Sequence, residues 1–563
     1  MPETTNPPSG PIAEDTTVDL LVVGSGTGLA AALAGHELGL RTLVIEKTEY
    51  VGGSTARSGG AFWIPGNPAL VRDGSPDTVE RAAVYLDALV GEDAPAAKWP
   101  TFLEYGPTVV EMLERTTPMR FMWAKGYSDY HPERPGGSAV GRTCECRPFD
   151  ASILGPERGR LRPAVLEAPV PMPVTGADYK WMNLMTRKPG KAVARIGKRV
   201  VQGVGGMALR REYVAGGQAL AAGLFAGAIA NDIPVWTRTE LVELVTEDGR
   251  VVGAVARQDD RTVTIRADRG VVLAAGGFDH NMEMRHSHQS PALADHASLG
   301  SAGNTGDSIV LAEALGAQLR SMDESWWFPA FAPVEGSQPA VMLAERSMPG
   351  SLILDQGGAR FVNEATDYMT FGQRMLELER AGSPVAEMWF VFDQTYKNRY
   401  VIAGSVFPRA PLPASWYAAG IAHRGGSPAE LARAVGLPEA STVTSIRRFN
   451  ELAANGIDDD FGRGASRYDQ YYGDPTNQPN PNLRPLTGEL YAVKLVLSDL
   501  GTCGGMVTDE RARVIGADGA PIGGLYAIGN NAANAFGHRY PGAGATIGQG
   551  LVFGHVAALD AAG

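Results

Sequence analysis

The residues whose types and spacing most plainly suit a chemical task lie in one short stretch, 19–47. The apolar run DLLVV at 19–23 leads straight into the turn Gly24-Ser25-Gly26-Thr27-Gly28, and an Ala-rich segment, 29–38, follows. Gly39 ends that segment, and the apolar run 42–45 closes on Glu46. A dinucleotide pyrophosphate needs bare backbone and the positive end of a helix. An acid about 20 residues further on accepts hydrogen bonds from ribose hydroxyls. The usual pattern has its third glycine where this chain has Leu29; here the glycine comes one residue earlier, at Gly28. The order strand, turn, helix, strand, acid compensates, and the stretch reads as a dinucleotide-binding βαβ unit rather than an ordinary βα turn.

Other stretches repeat this use of small residues. Gly52 and Gly53, then Ser54, Thr55 and Ser58, then Gly59 and Gly60 form two glycine pairs with hydroxyl residues between, a second backbone cradle. The segment 269–278 reads as a buried strand that runs into Gly276 and Gly277 and rejoins the parallel sheet beneath the cofactor. The segment 524–530 reads as a strand ending in Gly529 and Asn530, and Gly544-Ala545-Thr546-Ile547 starts the last helix. The stretch 121–132 holds Phe121, Trp123, Tyr127, Tyr130 and His131. Aromatic density in a loop suggests the lining of a pocket.

The elements that must position these residues follow the α/β rhythm at both ends of the chain. Helices are expected at 79–90, at 97–114 and from Gly216 onward. The runs 234–236, 241–245, 251–255 and 262–265, with the Asp248-Gly249 turn, read as a strand and a small meander. From 286 to 487 the rhythm breaks into Trp326-Trp327-Phe328-Pro329, Pro-rich loops and a helical patch at 428–455. The fold class is therefore α/β: a Rossmann-like domain of 18–285 plus 488–563, with an inserted α+β catalytic or capping domain of 286–487. Residues 1–17, rich in Pro, Thr and acids, read as a disordered tail.

Composition narrows the partners. The 563 residues suffice for two or more full cores, and a net charge of −12 argues against nucleic acid. Three cysteines, an odd count, argue against a disulfide framework and for a reducing, cytoplasmic setting. No metal site is expected: Cys144 and Cys146 stand too close and lack a second pair, and His286-Ser287-His288 lacks a carboxylate pattern. No run approaches the roughly 20 apolar residues of a transmembrane helix. The segment 187–211 carries Arg187, Lys188, Lys191, Arg195, Lys198, Arg199, Arg210 and Arg211 without an acid, interleaved with Val193, Ile196, Val200, Val201 and Val204. Such a helix reads equally as a peripheral contact with an anionic membrane, an ordinary surface helix or a subunit contact.

Taken in order, Gly24 to Gly28, Glu46, Gly52 to Gly60, Ala274 to Gly277, Thr305-Gly306-Asp307, Arg360-Phe361-Val362-Asn363-Glu364 and the closing 529–550 segment resemble the family of fumarate reductase and succinate dehydrogenase flavoprotein subunits. The resemblance spans nearly the whole chain. It implies non-covalent FAD held by the residues already named, Gly24 to Gly28, Glu46 and the Gly52 to Gly60 cradle. It adds Lys47, Ala275, Gly276, Gly277, Asn304, Thr305, Asp307, Gly529, Asn530 and the Gly544-Ala545-Thr546-Ile547 helix start, aimed at the isoalloxazine. No histidine stands in 52–60 to attach the flavin covalently.

Within that family the chain is similar to 3-ketosteroid Δ1-dehydrogenases. Tyr127-Ser128-Asp129-Tyr130, Asn363-Glu364-Ala365-Thr366-Asp367-Tyr368 and His538-Arg539-Tyr540-Pro541-Gly542-Ala543-Gly544 carry this likeness. It implies a 3-ketosteroid substrate in steroid ring degradation, with Tyr368 taking the C2 proton and flavin N5 the C1 hydride. Tyr540 and the Gly544 N–H would hold the C3 oxygen. Tyr130, or its neighbour His131, would relay the proton, with Tyr127 nearby, and an unidentified electron acceptor would reoxidise the flavin. A Δ4-(5α)-dehydrogenase on this scaffold is the near rival; a serine would be expected two residues after the key tyrosine, where this chain has Gly542. A fumarate reductase would want an arginine cluster. A non-catalytic FAD protein is the rival of a different class.

Overall fold

The computed structural model describes residues 15–165, 171–295 and 297–563. Most of the expected tail, 1–14, lies outside the described residues. Thr16 and Thr17 instead begin the first strand, Thr16–Val23, because they pair in parallel with Ile265 and Arg266.

That strand is the centre of an eight-stranded sheet. It lies between Thr42–Ile45 and Arg261–Leu273, parallel to both, and Pro521–Ala527 extends the sheet beyond the latter. Leu20, Leu21 and Val22 are all fully buried, as a strand covered on both faces requires. Arg261–Leu273 serves two layers. Its first half pairs antiparallel with Arg250–Gln258, and its second half runs parallel beside the first strand. The helix Gly28–Glu37 packs on one face of the sheet against the last helix, Ala545–Ala562. Both are Ala- and Gly-rich, which lets their backbones approach: a Cβ on Gly554 would lie 3.2 Å from the Ala31 nitrogen.

A second, six-stranded antiparallel sheet holds Ala340–Val341, Ser325–Phe331, Leu490–Thr502, Met388–Asp393 and Ser351–Asp355 in that order, with Ala422–Gly425 on the far half of Leu490–Thr502. The helix Tyr368–Arg380 lies on Ser325–Phe331 at a contact that only glycine permits. A Cβ on Gly372 would fall 2.3 Å from Trp327 Cβ. Pro428–Val435 and Glu439–Asn455 flank a separate apolar cluster around Leu352, Trp389 and Phe449.

This corrects the expected return to the first domain at 488. Leu490–Thr502 belongs to the second sheet; its apolar run suits either sheet, and only the strand partners decide. Leu319–Arg320 pairs antiparallel with Gly505–Met506. We place the entry and exit of the inserted unit at this two-stranded ribbon. The helix Asp307–Ala314, ahead of it, packs on Thr239–Glu247 of the first unit.

Two smaller pieces complete the scaffold. Ala61–Trp63, Thr143–Cys146 and Phe121–Trp123 form a three-stranded sheet, so the aromatic stretch at 121–132 is a strand followed by a loop. The basic segment forms the helix Pro189–Ala208. Among the described residues, no helix is long and apolar enough to cross a membrane.

Candidate active site

The glycine turn after the first strand is shaped by contact. Gly24 has φ +106, and a Cβ there would lie 2.3 Å from the Ala274 oxygen. A Cβ on Gly28 would meet Val22 Cγ1 at 2.9 Å and Ala274 Cβ at 3.0 Å. Gly28 thus allows the close helix–sheet packing that the third glycine of the motif normally provides, and this explains why Leu29, fully buried, is tolerated one residue later. Glu46 stands at the end of Thr42–Ile45, as expected. One carboxylate oxygen accepts from the Ser25 N–H (3.2 Å) and Oγ (2.7 Å), the other from the Thr48 N–H (3.0 Å) and Oγ1 (2.7 Å). A ribose hydroxyl would share this carboxylate with those two side chains.

The second cradle lies against the first. Gly52–Gly53 begins the short helix Gly53–Arg57; Gly53 sits at φ +47 with its Cβ position 3.7 Å from the Gly26 nitrogen. Ser54 Oγ accepts from the Ser301 N–H and from Asn304 Nδ2, both at 2.9 Å. Lys47 pairs with Asp307 and also donates to Thr305 Oγ1. Ser58 Oγ accepts from the Gly60 N–H at 3.0 Å, and a Cβ on Gly60 would strike the Gly216 carbonyl carbon at 2.2 Å. Asn531 ties the closing segment to Ala274–Gly277: its Oδ1 accepts from the Ala275 N–H and its Nδ2 donates to the Gly276 oxygen at 2.7 Å. Asn530 Oδ1 accepts from Trp326 Nε1 at 3.0 Å.

These walls enclose a cavity of about 1260 Å³ that runs from Gly24 to Tyr540. Its far half is lined by Tyr127, Tyr368, Tyr472, Phe328, Tyr179, Met182 and Leu343. There the tyrosines of three separate segments meet. Tyr130 donates to the Tyr368 hydroxyl at 2.5 Å. The Tyr368 hydroxyl and the Gly544 N–H lie near the Tyr540 hydroxyl and oppose the rise that burial gives its pKa. Ring centroids of Tyr130, Tyr368 and Tyr540 lie 5.1–5.7 Å apart. Tyr472 donates to Tyr127 at 3.0 Å. Burial pushes the phenols of Tyr130, Tyr368 and Tyr540 above their ordinary value, so each rests as a neutral hydroxyl; the hydrogen bond from Tyr130 works in the opposite direction on Tyr368.

Each tyrosine is positioned by its own element. Tyr368 opens the helix Tyr368–Arg380, capped by Asp367, whose carboxylate accepts from the Thr370 N–H at 3.0 Å. Tyr130 belongs to a loop held by buried Asp129, which accepts from Trp63 Nε1 (2.9 Å) and the Ser138 N–H (2.9 Å) and pairs with Arg142. Tyr540 belongs to the 537–544 turn, where carbonyl after carbonyl is engaged. Asn534 Nδ2 donates to Gly537 and Arg539, the Tyr85 hydroxyl (2.8 Å) and Tyr130 N–H (3.1 Å) to Pro541, and Thr143 Oγ1 (3.0 Å) to Ala543. Gly544 at φ +89 would place a Cβ 2.1 Å from the Ala61 oxygen, so glycine alone can begin the helix there.

Of the expected residues, Gly24, Ser25, Gly26, Thr27, Glu46, Lys47, Gly53, Ser54, Thr55, Ser58, Gly59, Gly60, Ala275 to Gly277, Asn304, Asp307, Gly529, Asn530, Gly544, Thr546 and Ile547 border the cavity, as do Tyr127, Tyr368 and Tyr540. Gly28, Gly52, Thr305 and Ala545 stand behind it and support the wall. Tyr130 is also behind, against Tyr368. His131 goes elsewhere: its Nε2 lies 3.9 Å from Asp367, and burial lowers its pKa. Sequence reasoning missed Tyr468, Tyr471 and Tyr472 on the helix Arg467–Tyr472, although three tyrosines in six residues are as dense as the 121–132 signal. It also missed Glu145, buried in the cavity wall and pushed up to about 7 by burial.

A glycine-lined dinucleotide cradle opening onto a buried cluster of phenols is the layout of a flavin-dependent oxidoreductase. A family model described as an FAD binding domain matches residues 19–547. A 3-oxosteroid 1-dehydrogenase of Mycolicibacterium smegmatis is 42% identical over 97% of both chains. A 4-oxocyclohex-2-ene-1-carboxylate 5-dehydrogenase of Sinomonas cyclohexanicum is 34% identical over 97% of this chain and 93% of its own. The crystal structure of a 3-ketosteroid Δ1-dehydrogenase from Sterolibacterium denitrificans, in complex with 1,4-androstadiene-3,17-dione, superposes with a TM-score of 0.91 at 34% identity, covering 97% of this chain and 99% of that one. The chain belongs to the FAD-binding family and, within it, to the group of the 3-oxosteroid 1-dehydrogenases. Its cofactor is FAD, and the bare backbone at Gly24, Gly26, Gly53 and Gly60 fits it.

His538 anchors the start of the tyrosine turn. Its Nδ1 lies 2.8 Å from Asp93 and its Nε2 3.5 Å from Asp323, and these hydrogen bonds raise its pKa to about 9. The folded value lies above the ordinary imidazole value, so the stabilisation is full below that value and is lost as pH rises through about 9. Urea melts from about pH 6 to about pH 10 are expected to show this loss, and His538→Gln is expected to flatten it.

Proposed function

We propose that this enzyme introduces the C1–C2 double bond into 3-ketosteroids. The observation that carries the reading is the convergence of Tyr540, Tyr368, Tyr130 and the Gly544 N–H at one end of an apolar cavity continuous with the flavin cradle.

The C1–C2 bond of such a substrate is activated only through the C3 ketone. The Tyr540 hydroxyl and the Gly544 N–H bind the C3 oxygen and stabilise the enolate that forms as C2 loses its proton. The dipole of the helix Ala545–Ala562, which starts at this point, favours the same negative charge. Tyr368 takes the C2 proton. Its unperturbed pKa of about 10, raised further by burial, makes it a poor base alone. The hydrogen bond from Tyr130 stabilises its anion, and Tyr130 passes the proton on toward Tyr127. FAD, when bound, supplies the acceptor for the C1 hydride.

Two features favour this reading over its neighbours. A Cβ on Gly542 would lie 2.3 Å from Trp63 Cδ1, so the serine expected of a Δ4-(5α)-dehydrogenase does not fit without displacing a fully buried tryptophan. A cyclohexenone carboxylate would leave unfilled much of a cavity half lined by Phe328, Met182 and Leu343, which a large neutral substrate covers.

Anaerobic mixing with androst-4-ene-3,17-dione is expected to bleach the flavin band and yield a 1,4-dien-3-one. No bleaching would overturn the reading. Tyr368→Phe is expected to keep FAD and abolish turnover, and substantial activity would remove it as the base. Tyr540→Phe should slow flavin reduction by roughly 100- to 1000-fold, the usual cost of one oxyanion donor.

The helix Pro189–Ala208 supports a peripheral membrane contact. Val193, Val201 and Met207 are exposed, with Leu209 beyond them, among Lys191, Lys198, Arg210 and Arg211. Ile196, Val200, Gly203 and Met207 of the same segment line the cavity, so an apolar substrate could enter from the bilayer side. Binding to anionic vesicles should fall when Lys191, Lys198, Arg210 and Arg211 are changed to Glu; unchanged co-sedimentation would sink the idea.

A further inference from the structure

The two tyrosines given opposite tasks belong to different parts of the chain. Tyr368 lies in the inserted unit and Tyr540 in the closing segment of the first. Besides the contact between the two rings, Gln373 ties their helix to the turn. Gln373, on the helix Tyr368–Arg380 five residues after Tyr368, donates from Nε2 to the His538 oxygen at 2.8 Å and to Glu324 Oε2 at 2.6 Å. Glu324 is itself fixed: its other oxygen accepts from Trp327 Nε1 and from the Ser325 N–H at 3.2 Å. Trp327 packs on Gly372 of the same helix, and Trp326, on the opposite face of that strand, lies on the Tyr540 ring with centroids 4.6 Å apart. One amide nitrogen therefore links the base helix, the strand beneath it and the turn that carries Tyr540.

We propose that Gln373 is a positioning residue of the reaction, setting the separation between Tyr368 and Tyr540 through its paired donation to Glu324 and the His538 carbonyl. The geometry leaves little slack. The His538 side chain is clamped on the far side by Asp93 and Asp323, and its carbonyl faces Gln373, so the residue is gripped from two directions. Further along the same turn, the Pro541 carbonyl is held by Tyr85 and Tyr130. Without the Gln373 donor, the His538 carbonyl and the Glu324 carboxylate each lose a partner in a largely dry site, and the turn is free to shift relative to the base. A misplacement on the order of 1 Å at reacting groups costs roughly 100-fold in rate. The two tyrosines act on adjacent atoms of one substrate, and this makes their spacing, not merely their presence, rate-determining for proton removal.

The inference rests on the Δ1 reading, and wild-type reduction by the steroid checks that reading separately. The test is a double-mutant cycle of Gln373→Met and Tyr540→Phe, read as the anaerobic flavin reduction rate at saturating androst-4-ene-3,17-dione. Gln373→Met alone is expected to keep FAD and the half-saturating steroid concentration near wild type and to lower the melting temperature only modestly, while lowering the rate roughly 10- to 100-fold. In the Tyr540→Phe background it is expected to cost little more, because the group it positions is gone. Equal cost in both backgrounds would overturn the proposal. So would a wild-type rate in Gln373→Met. Gln373→Glu keeps the shape and loses the amide donor, and it should show the same split. Loss of FAD or early melting in both variants would make Gln373 merely structural and end the proposal. Failure of the wild type to bleach would instead fall on the Δ1 reading.

Discussion

The Pro541 carbonyl is the interaction on which the catalytic geometry hangs. It accepts from the Tyr85 hydroxyl and from the Tyr130 backbone N–H. One oxygen thus fixes both the turn that presents Tyr540 and the loop that presents Tyr130. Around it most of the turn's other carbonyls are engaged, and the Gly544 N–H lies near the Tyr540 hydroxyl. Preorganisation of this kind matters because donors already aimed at a developing charge need no rearrangement when the charge appears. Backbone hydrogen bonds are well suited to it, since the chain cannot rotate away as a side chain can.

Burial sets the second condition. Every phenol in the cluster is driven toward its neutral form by loss of water, which opposes the use of any one of them as a base. Around Tyr130 and Tyr368 the structure answers with contact between hydroxyls, while buried Arg346, which donates to the Glu364 and Thr366 carbonyls, acts on Tyr127 and Tyr468. Arg142, a buried arginine near the loop, is committed to Asp77 and Asp129. A neutral cluster of donors and acceptors can shift protons along itself without stranding a charge in a dry cavity, and it tolerates a large apolar ligand beside it.

Much of this was legible in the residues. The Gly24–Gly28 turn and Glu46 announced the cradle because glycine and a terminal acid have few other reasons to stand in that order. The insertion showed only as a break in the α/β rhythm at 286, whereas Asp307–Ala314 still packs on Thr239–Glu247 of the first sheet. Its far boundary was hidden too, because Leu490–Thr502 is apolar enough for either sheet and only the pairing with Met388–Asp393 and Ser325–Phe331 decides. The cooperation of Tyr130, Tyr368 and Tyr540 came from resemblance, since residues separated by hundreds of positions carry no local sign of contact. Gln373 and Asn531 were invisible for the same reason: an amide that bridges distant segments looks, in sequence, like any polar residue on a helix or loop.

The strand order of the first sheet bears on how the chain is made. Thr16–Val23 lies between Thr42–Ile45 and Arg261–Leu273, and the helix after it packs on Ala545–Ala562, far along the sequence. The dinucleotide unit therefore waits, with an apolar face uncovered, until Ala545–Ala562 has been made. Sequence separations of this size slow folding and lengthen the time in which unpaired edges meet other chains. A nascent chain of this enzyme is consequently a natural client for chaperones, and one cut off before Ala545 would hold both sheets and no closed cofactor site.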